Sequence, residues 1–373
     1  MSHNTTRSTP ARRSVLLLAA VVLLGTACAN AQTRMPHENV RHEGTWLQWP
    51  HSYTYGTTYR NRIESTWIEM TRSLVGGEKV HIVAYNAREQ DRIERLLMDA
   101  GVSLDKVTFV VQPTDDVWVR DNGPIFVVGP DQALAVENWG FNGWGQKEPY
   151  QLSAEVPAVV ASELRMPTID LRDYVVEGGA VETDGRGTFL ATRSSILNPN
   201  RNPDVTEDQM DAALSANLGV SNFIWLDGVK NADITDMHVD GFARFATSDT
   251  IVTMSQGDLA NWGLSAPDIQ RLYSATDVNS VPYKLVQLPL TSKNVVTTYG
   301  KDLGYQGSYV NFYVGNDVVL MPTYNDANDA VAKAILQQLF PDRTVVGIDV
   351  RNLYANGGMI HCVTQQQPEA ASP

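Results

Sequence analysis

The chain alternates between short apolar runs that predict β-strands and amphipathic segments that predict helices. The apolar runs are rich in β-branched and aromatic residues, as strands usually are. They cover residues 79–85, 106–112, 123–128, 133–139, 187–192, 222–226, 250–254, 283–290, 309–315, 317–322 and 344–350. Apolar positions that return every three to four residues predict helices over 59–76, 87–101, 206–219 and 326–340. Several of these segments end at glycine, a common helix stop, and the order of strands, helix and strand recurs. The pattern predicts an α/β protein.

The body of the chain, residues 32–373, shows no linker, charge block or low-complexity tract, so we predict a single domain there. Its length suits a propeller-like architecture better than one simple core. No strict sequence period is visible, so a repeated structure can be inferred only from the order of elements.

The first 31 residues have the layout of a cleaved export signal. They contain a basic Arg12-Arg13 pair, an apolar run from Val15 and no acidic residue. Ala29-Asn30-Ala31 fits a cleavage site before Gln32, and the arginine pair also resembles a twin-arginine signal. A lipoprotein anchor at Cys28 is the less favoured alternative. The sequence therefore predicts an exported protein, either periplasmic or secreted.

Removing this leader changes two counts. It carries three arginines and no acid, so the net charge goes from −13 to −16. Such an acidic chain disfavours nucleic acid as a partner and suits a cationic substrate. Its loss also removes Cys28 and leaves Cys362 as the one thiol, so no intramolecular disulfide can form. Cys362 is then either an inert buried residue or a reactive one.

Four segments concentrate reactive side chains beside glycine, although none of them is diagnostic alone. They are "DDVWVRDNGP" 115–124, "VVEGGAVETDGRGT" 175–188, "DITDMHVDGFARF" 233–245 and "NGGMIHCVTQQQP" 356–368. The first reads as a strand that closes into a turn at Asp121, and Asp184-Gly185 reads as a hairpin turn. The paired glycines permit a backbone to approach a ligand closely.

The third and fourth segments contain the histidines and the thiol. On an extended strand, His238 and Asp240 would project from one face, so that a base and a carboxylate could share a pocket. His361 would point away from its neighbour Cys362, which makes His238 the better base for the thiol. Zinc ligation by these four residues is disfavoured, since their spacing matches no standard zinc site.

One thiol, one histidine and several carboxylates suit attack on a guanidinium carbon. Carboxylates bind this planar cation through paired, charge-assisted hydrogen bonds. A thiolate attack then gives a covalent intermediate, while a histidine protonates the departing ammonia and later activates water.

Nine segments, in order from about Met35 to Pro368, together resemble the agmatine deiminase family, which also holds the bacterial peptidylarginine deiminases. They are "MPHENVRHEGTWLQWPH" 35–51, "VWVRDNGP" 117–124, "FNGWG" 141–145, "EGGAVETDGRGT" 177–188, "LNPNRNP" 197–203, "HVDGFARF" 238–245, "SYVNFYV" 308–314, "FPDRTVVGIDV" 340–350 and "GGMIHCVTQQQP" 357–368. The resemblance implies a five-fold pseudosymmetric α/β propeller around a central site, with no metal or organic cofactor.

The resemblance also implies roles for particular residues. Cys362 would be the nucleophile and His238 the general acid and base. Asp121 and Asp240 would be the carboxylates that bind the guanidinium. Two further residues, Glu177 and Trp118, would line the pocket.

Two departures from the family pattern lie near the site. The family usually reads "GGGNIHC" where this chain has Asn356 and Met359, and it usually has glycine before the motif histidine, where this chain has Met237. These changes leave the guanidinium-binding residues in place, so hydrolysis of a guanidine is the central prediction.

The substrate predicted first is agmatine, converted to N-carbamoylputrescine and ammonia. The rival is a secreted peptidylarginine or free-arginine deiminase, which the export signal favours. The protein-modifying relatives use arginines after the "RD" motif to hold a C-terminal carboxylate, and "NWGFNGWGQKEPYQ" 138–151 has none. A secreted protein that binds guanidinium groups without turnover is the non-enzymatic alternative. Expected partners are a small cationic guanidine or an arginine-containing peptide, with no nucleic acid and no membrane span, and a homo-oligomer stays open.

Overall fold

A computed structural model describes residues 1–3 and 33–370. The predicted cleavage site before Gln32 and all but the first three residues of the predicted leader lie outside the described residues. In chain order the strands are β1 (His42–Gln48), β2 (Lys79–Ala84), β3 (Val107–Val111), β4 (Ile125–Val128), β5 (Leu134–Gly140), β6 (Thr168–Val175), β7 (Glu182–Thr183), β8 (Thr188–Thr192), β9 (Asn222–Leu226), β10 (Ala243–Thr247), β11 (Thr250–Thr253), β12 (Lys284–Gln287), β13 (Leu290–Val296), β14 (Asp302–Ser308), β15 (Tyr313–Val314), β16 (Val318–Thr323), β17 (Thr344–Asp349) and β18 (Gln365–Pro368).

The α-helices are α1 (Ser52–Leu74), α2 (Ala87–Asp99), α3 (Val119–Asn122), α4 (Gly143–Gln146), α5 (Val156–Leu164), α6 (Arg193–Ile196), α7 (Glu207–Leu218), α8 (Gln256–Trp262), α9 (Ala266–Tyr273) and α10 (Asn328–Leu339). Short 3-10 turns cover Ser153–Glu155, Gly178–Ala180, Val239–Gly241, Tyr354–Asn356 and His361–Val363.

Five units of one design account for most of these elements. In each unit two strands pair antiparallel, a helical connection follows, and the next strand pairs parallel to the second. The units are β18-β1-β2, β4-β5-β6, β7-β8-β9, β10-β11-β12 and β15-β16-β17. A parallel pair needs a long crossover, which explains why a helical segment always separates the second and third strands. This repetition confirms the predicted five-fold pseudosymmetric α/β propeller.

Helix α1 shows how the amphipathic pattern fixes these crossovers. Ile63, Trp67, Met70 and Leu74 share one buried face. They pack in the core where α1 meets β2, β16 and β17. The first turn carries no carboxylate, and the His51 side chain caps it by accepting a hydrogen bond from the backbone N–H of Thr54.

The first unit pairs strands that lie near the two ends of residues 33–370. Strand β18 pairs antiparallel with β1, so that Trp46 lies opposite Gln365 and His42 lies opposite Pro368. Strand β3 extends this sheet, and the hairpin β13-β14 stands apart from the five units. The ring is therefore closed by a strand from near the C-terminus.

Most of the predicted elements recur with shifted bounds, and two local predictions, at Asp121 and at residues 239–241, are wrong. The prediction for 222–226 is confirmed as β9, and that for 206–219 becomes α7, whose Thr206 forms a capping box with Gln209. The Asp184-Gly185 hairpin turn is confirmed between β7 and β8. However, Asp121 lies in helix α3 and not where a strand enters a turn. Residues 239–241 and 361–363 are 3-10 turns, so strand geometry does not orient the side chains there.

Candidate active site

The candidate site is assembled from the segments that lead into the first strand of each unit. Cys362 precedes β18, Asp121 precedes β4, Gly179 precedes β7, Asp240 precedes β10 and Asn311 precedes β15. These residues are far apart in the sequence, yet hydrogen bonds and close contacts connect them. The five-fold design therefore brings one reactive segment from each unit to a common centre.

Cys362 is half-buried on the turn His361–Val363. Its Sγ lies 3.3 Å from Nδ2 of Asn311 and 3.8 Å from Oδ2 of Asp240. Burial raises the pKa of the thiol, and the negative charges of Asp240 and Asp121 raise it further. Without a bound cation, Cys362 is therefore a protonated thiol at neutral pH.

Gly179 forms the wall between the carboxylates. Its backbone N–H donates to Oδ1 of Asp121 at 3.0 Å, and the indole N–H of Trp144 donates to Oδ2 at 2.9 Å. A Cβ on Gly179 would come within 2.6 Å of Asp121 Oδ1, 2.7 Å of His238 Nδ1 and 3.2 Å of Asp240 Oδ2. Three polar side chains therefore converge on the face of Gly179 where a side chain would stand.

Burial sets the charge of Asp121. It raises the pKa of this carboxyl to about 6, with the neighbouring charges of Asp240 and Glu177 adding to the effect, while the charge of His238 opposes it. Asp121 is thus ionised at neutral pH but close to the range in which it would accept a proton.

His238 lies between two carboxylates. Its Nε2 is 2.8 Å from Oε2 of Glu177, and its Nδ1 is 3.6 Å from Oδ1 of Asp121. Burial alone would lower the pKa of this imidazole, but the charge of Asp121 and the hydrogen bond with Glu177 outweigh it and raise the pKa to about 9. His238 is therefore an imidazolium at neutral pH.

Glu177 supports His238 from behind. Arg201 donates to its Oε1 from Nε at 2.8 Å and to its Oε2 from Nη2 at 3.3 Å, and the side chains of both partners are fully buried. Burial acts to raise the pKa of Glu177, yet His238 and Arg201 together lower it. The structure thus places Glu177 in contact with the predicted acid and base, as an ionised partner already paired with an arginine.

Trp118 and Gly358 meet at another side of the centre. A Cβ on Gly358 would lie 2.1 Å from the indole ring of Trp118, so only glycine allows this approach. Trp118 itself is 9% exposed. Gly358, in the second paired-glycine segment, therefore allows the Trp118 ring to pack against the backbone shortly before Cys362.

Two residues that depart from the family pattern, Met237 and Met359, have defined contacts in the structure. Met237 and Asp236 both have left-handed φ values, 73° and 60°, a conformation that favours the glycine usual before the motif histidine. Thr192 donates to the carbonyl of Met237 at 2.8 Å, and Met237 N–H donates to Asp233 at 3.1 Å. Met359 accepts a hydrogen bond from the Tyr324 hydroxyl at 2.9 Å.

Asp240 is held by the histidine next to the thiol. Its Oδ2 lies 2.7 Å from Nδ1 of His361, whose Nε2 lies 2.9 Å from Oε2 of Glu38. The expectation that His361 does not serve Cys362 directly agrees with these contacts, although a 3-10 turn and not a strand directs the ring.

Four contributors were not singled out from the sequence, namely Asn311, Trp144, Arg201 and Glu38. Each lies inside a segment that carries the family resemblance, "SYVNFYV", "FNGWG", "LNPNRNP" and "MPHENVRHEGTWLQWPH". That shared position was the available signal, since residue type alone does not distinguish a buried Asn or Arg at a site from one in a turn.

Within residues 1–3 and 33–370, no group of three or more His, Cys, Asp or Glu side chains is arranged to hold a metal ion. In the same part of the chain, no helix combines the length and the apolar character needed to cross a bilayer.

Comparison with known proteins gives a consistent assignment. The family model described as Porphyromonas-type peptidyl-arginine deiminase matches residues 34–368. The agmatine deiminase of Pseudomonas fluorescens strain SBW25 is 32% identical over 356 residues, which cover 90% of this chain and 95% of that protein.

Two solved structures share the fold along most of their length. The agmatine deiminase of Enterococcus faecalis has a TM-score of 0.80 at 27% identity, with 91% of this chain and 96% of that chain covered. A C. jejuni agmatine deiminase with substrate bound has a TM-score of 0.78 at 25% identity, with 91% and 97% covered. The chain belongs to the agmatine deiminase family, whose model carries the Porphyromonas-type peptidyl-arginine deiminase description.

Proposed function

We propose that the protein hydrolyses the guanidinium group of agmatine to give N-carbamoylputrescine and ammonia, with Cys362 as the nucleophile. The observation that carries the proposal is the placement of the Cys362 thiol 3.8 Å from the Asp240 carboxylate, in a centre that Asp121 and His238 also face. Relatives named agmatine deiminases, similar along 90% of this chain, support the same substrate.

Asp121 and Asp240 would bind the substrate cation. Both present an oxygen to the space in front of Gly179, and both are buried. A guanidinium placed there would receive charge-assisted hydrogen bonds from two sides, which fixes its plane relative to the Cys362 sulfur. Without the cation these two carboxylates repel each other, so binding the substrate also relieves their repulsion.

The same cation would activate the thiol. Burial and the two aspartates raise the pKa of Cys362, so the thiol of the free enzyme is protonated. A bound guanidinium compensates the charges that cause part of this rise, and the proton can then leave to solvent. Cys362 would therefore become nucleophilic only when a substrate is in place.

In the first half-reaction, the Cys362 thiolate forms a bond to the guanidinium carbon. The bond from this carbon to a terminal nitrogen then breaks, and His238 gives its proton to that nitrogen, which leaves as ammonia. The product on the enzyme is a thiouronium cation, and His238 is now neutral.

In the second half-reaction, the neutral His238 takes a proton from water as the water oxygen bonds to the thiouronium carbon. The carbon–sulfur bond breaks, the thiolate is restored, and the added hydroxyl group loses its proton to solvent to give the ureido product. Glu177 and Arg201 keep His238 in place through both protonation states.

The far end of the substrate is better matched to an amine than to a carboxylate. Lys147 is the one cation in the segment 138–151, and its Nζ donates to Asp236 at 2.7 Å and to the carbonyl of Ile234 at 2.9 Å. Its charge is therefore already used within the protein, and this segment has no arginine to bind an α-carboxylate. This favours agmatine over free or C-terminal arginine.

The cellular setting is a further part of the proposal. The leader pattern of residues 1–31 supports export through a cleaved signal, and deimination of agmatine there would supply a precursor of putrescine. Cell fractionation of the expressing organism, with detection of the mature N-terminus, tests the export. Protein that stays in the cytoplasm with residues 1–31 attached would contradict it.

The test of the activity is ammonia release with agmatine, free arginine and a peptide ending in arginine, each supplied separately. Cys362→Ala is the blank, and its thermal melting curve confirms that it remains folded. Agmatine turnover that the blank lacks supports the proposal. A preference for the peptide would indicate that the substrate is a protein and not agmatine. Labelling of Cys362 by a haloacetamidine without turnover of any guanidine would instead indicate a binding protein.

A further inference from the structure

A buried pair behind the site, His361 and Glu38, takes no part in the reaction steps above. His361 is 1% exposed and Glu38 is 7% exposed. The histidine connects Glu38, at 2.9 Å from its Nε2, to the substrate-binding Asp240, at 2.7 Å from its Nδ1. The pair thus connects the segment just before β1 to Asp240, one of the two carboxylates assigned to the substrate.

The hydrogen bonds of His361 define its charge. Each ring nitrogen faces an oxygen of a carboxylate, and an ionised carboxylate can only accept hydrogen bonds. A neutral imidazole has one N–H and could satisfy one of these partners, leaving the other nitrogen lone pair against an anion. Both contacts are hydrogen bonds only if both nitrogens carry protons, which makes His361 an imidazolium.

The charge balance of the surrounding cluster leads to the same result. Its buried acids are Asp240, Glu38 and Glu182, and its buried bases are Arg120, Arg244 and His361. With His361 protonated, three negative groups face three positive ones. With His361 neutral, these six groups would carry one excess negative charge in the interior, which is unfavourable.

The partners of Glu38 explain why this end of the pair is fixed. Arg244 donates to its Oε2 at 2.8 Å, and Arg120 lies 3.4 Å from the same oxygen. Its Oε1 accepts the backbone N–H of Val314 at 2.9 Å. Although burial opposes ionisation, these contacts and His361 hold the pKa of Glu38 well below its usual range.

Asp240 depends on this arrangement more than Asp121 does. Burial raises the pKa of Asp121 to about 6, and the pKa of Asp240 would also rise through burial, but its hydrogen bond with His361 lowers it instead. The two aspartates that face the substrate therefore differ because one of them has a cationic partner on its far side.

We propose that His361 is a positioning residue, which donates from both ring nitrogens and so holds Asp240 ionised and aimed at the guanidinium, with Glu38 as its second anchor. This inference rests on the proposed function, because it assigns Asp240 to the substrate. The charged or titratable groups that face Glu38 are Arg120, Arg244, His37, Arg343 and Tyr313. Those that face Asp240 are Arg244, Asp121, His238 and Cys362.

The test compares His361→Asn with a matched control elsewhere in the fold. The asparagine amide retains a neutral donor toward Asp240 and removes the positive charge. We expect kcat/KM for agmatine to fall about 10- to 100-fold at neutral pH. The acid limb of the pH profile should also move to higher pH, because Asp240 would then take up a proton more readily. Glu38→Gln keeps an acceptor for the ring and should show the same shift to a smaller extent.

The matched controls are His81→Asn and Glu43→Gln. His81 is also buried, and its ring nitrogens contact Glu43 at 2.8 Å and Thr108 at 2.6 Å, on strands away from the centre. These variants should keep the wild-type pH profile even if they lower the melting temperature. A loss in His361→Asn that merely follows its melting temperature, with an unmoved acid limb, would overturn the proposal.

Two readouts do not require turnover. Alkylation of Cys362 by a cationic haloacetamidine should slow in His361→Asn much more than alkylation by neutral iodoacetamide, since only the former needs Asp240 ionised. In the wild-type protein at neutral pH, histidine ¹⁵N resonances should show His361 with both nitrogens protonated, as the two carboxylate contacts require. A neutral His361 ring would refute the proposal, even if the variant fails to fold or no guanidine is hydrolysed.

Discussion

Two histidines occupy comparable turns at the centre of the ring, and they differ in how many close carboxylate partners each ring has. His238 precedes the 3-10 turn before β10, and His361 begins the 3-10 turn before β18. His238 has one close carboxylate, Glu177 at 2.8 Å, while its Nδ1 is 3.6 Å from Asp121 and faces the space before Gly179. Both nitrogens of His361 are engaged with carboxylates at 2.9 Å or less.

The difference shows how similar local sequences divide the work of a reaction. A proton donor needs a nitrogen that can reach the substrate, and a nitrogen that is 3.6 Å from its nearest carboxylate can do so. A ring whose two nitrogens both contact carboxylates, as in His361, is instead held in one orientation. The surroundings, and not the residue type, determine which role each histidine takes.

The largest effect should come from removing the exchangeable proton. In His238→Asn, we expect kcat for agmatine to fall about 10²- to 10⁴-fold, the usual contribution of a general acid and base. The amide is close in shape to the ring, so the fold should persist. Steady-state kinetics and a melting curve measure this, and a rate near that of the wild type would remove His238 from the mechanism.

Filling the space before Gly179 should have the next largest effect. In Gly179→Ala, the new Cβ would lie 2.6 Å from Asp121 and 2.7 Å from His238 Nδ1, in the region assigned to the guanidinium. We expect kcat/KM to fall about 100-fold, because small displacements of catalytic groups cost this much. The control is Gly241→Ala, whose Cβ would meet only Trp262, at 3.6 Å. Equal losses in both variants would contradict the placement of the substrate.

The pH dependence of kcat/KM should report the protonation of Asp121 and His238 in the unmodified protein. Asp121 must be ionised to bind the cation, so kcat/KM should fall tenfold per unit as the pH drops through about 6. His238 must be protonated to release ammonia, so kcat/KM should also fall as the pH rises through about 9. An alkaline limb that persists in His238→Asn would assign it to another group.

Loosening the support of Glu177 should have the smallest effect. In Arg201→Lys, the paired hydrogen bonds to Glu177 become a single contact, which weakens the hold of Glu177 on His238. We expect a loss of about threefold to tenfold in kcat/KM, by analogy with other partners that support reactive residues. Arg193→Lys is the control, because Arg193 forms a similar paired contact with Glu207 on the surface. An unchanged rate in Arg201→Lys would exclude a role for this support.

Much of the fold could be predicted from the sequence, because strands and helices impose their periods on apolar positions. The runs that became β9 and α7 have clear patterns and clear ends. Strand β18 was missed, since "QQQP" has no β-branched or aromatic residue and yet is buried at the seam with β1. Its side chains are buried by a neighbour that lies more than 300 residues away, which no local pattern records.

The candidate site could also be predicted only in part. Resemblance to a family identified Cys362, His238, Asp121 and Asp240, and the structure brings all four together. The local backbone conformation was less predictable, because paired glycines and a turn aspartate are compatible with many conformations. The pattern favours an extended strand at residues 239–241 and a strand or loop at residues 361–363, but both segments are 3-10 turns whose partners come from other units.

The seam between β1 and β18 has a consequence for the order in which the protein can mature. Glu38 and His361 are 323 positions apart, so the ribosome makes one near the start and the other almost at the end. Contacts of such range form late and slow the folding of a chain. Four of the five units are complete in the sequence before Cys362 is added. A nascent or truncated chain therefore lacks Cys362, and β18, the last strand to be made, closes the ring directly after it.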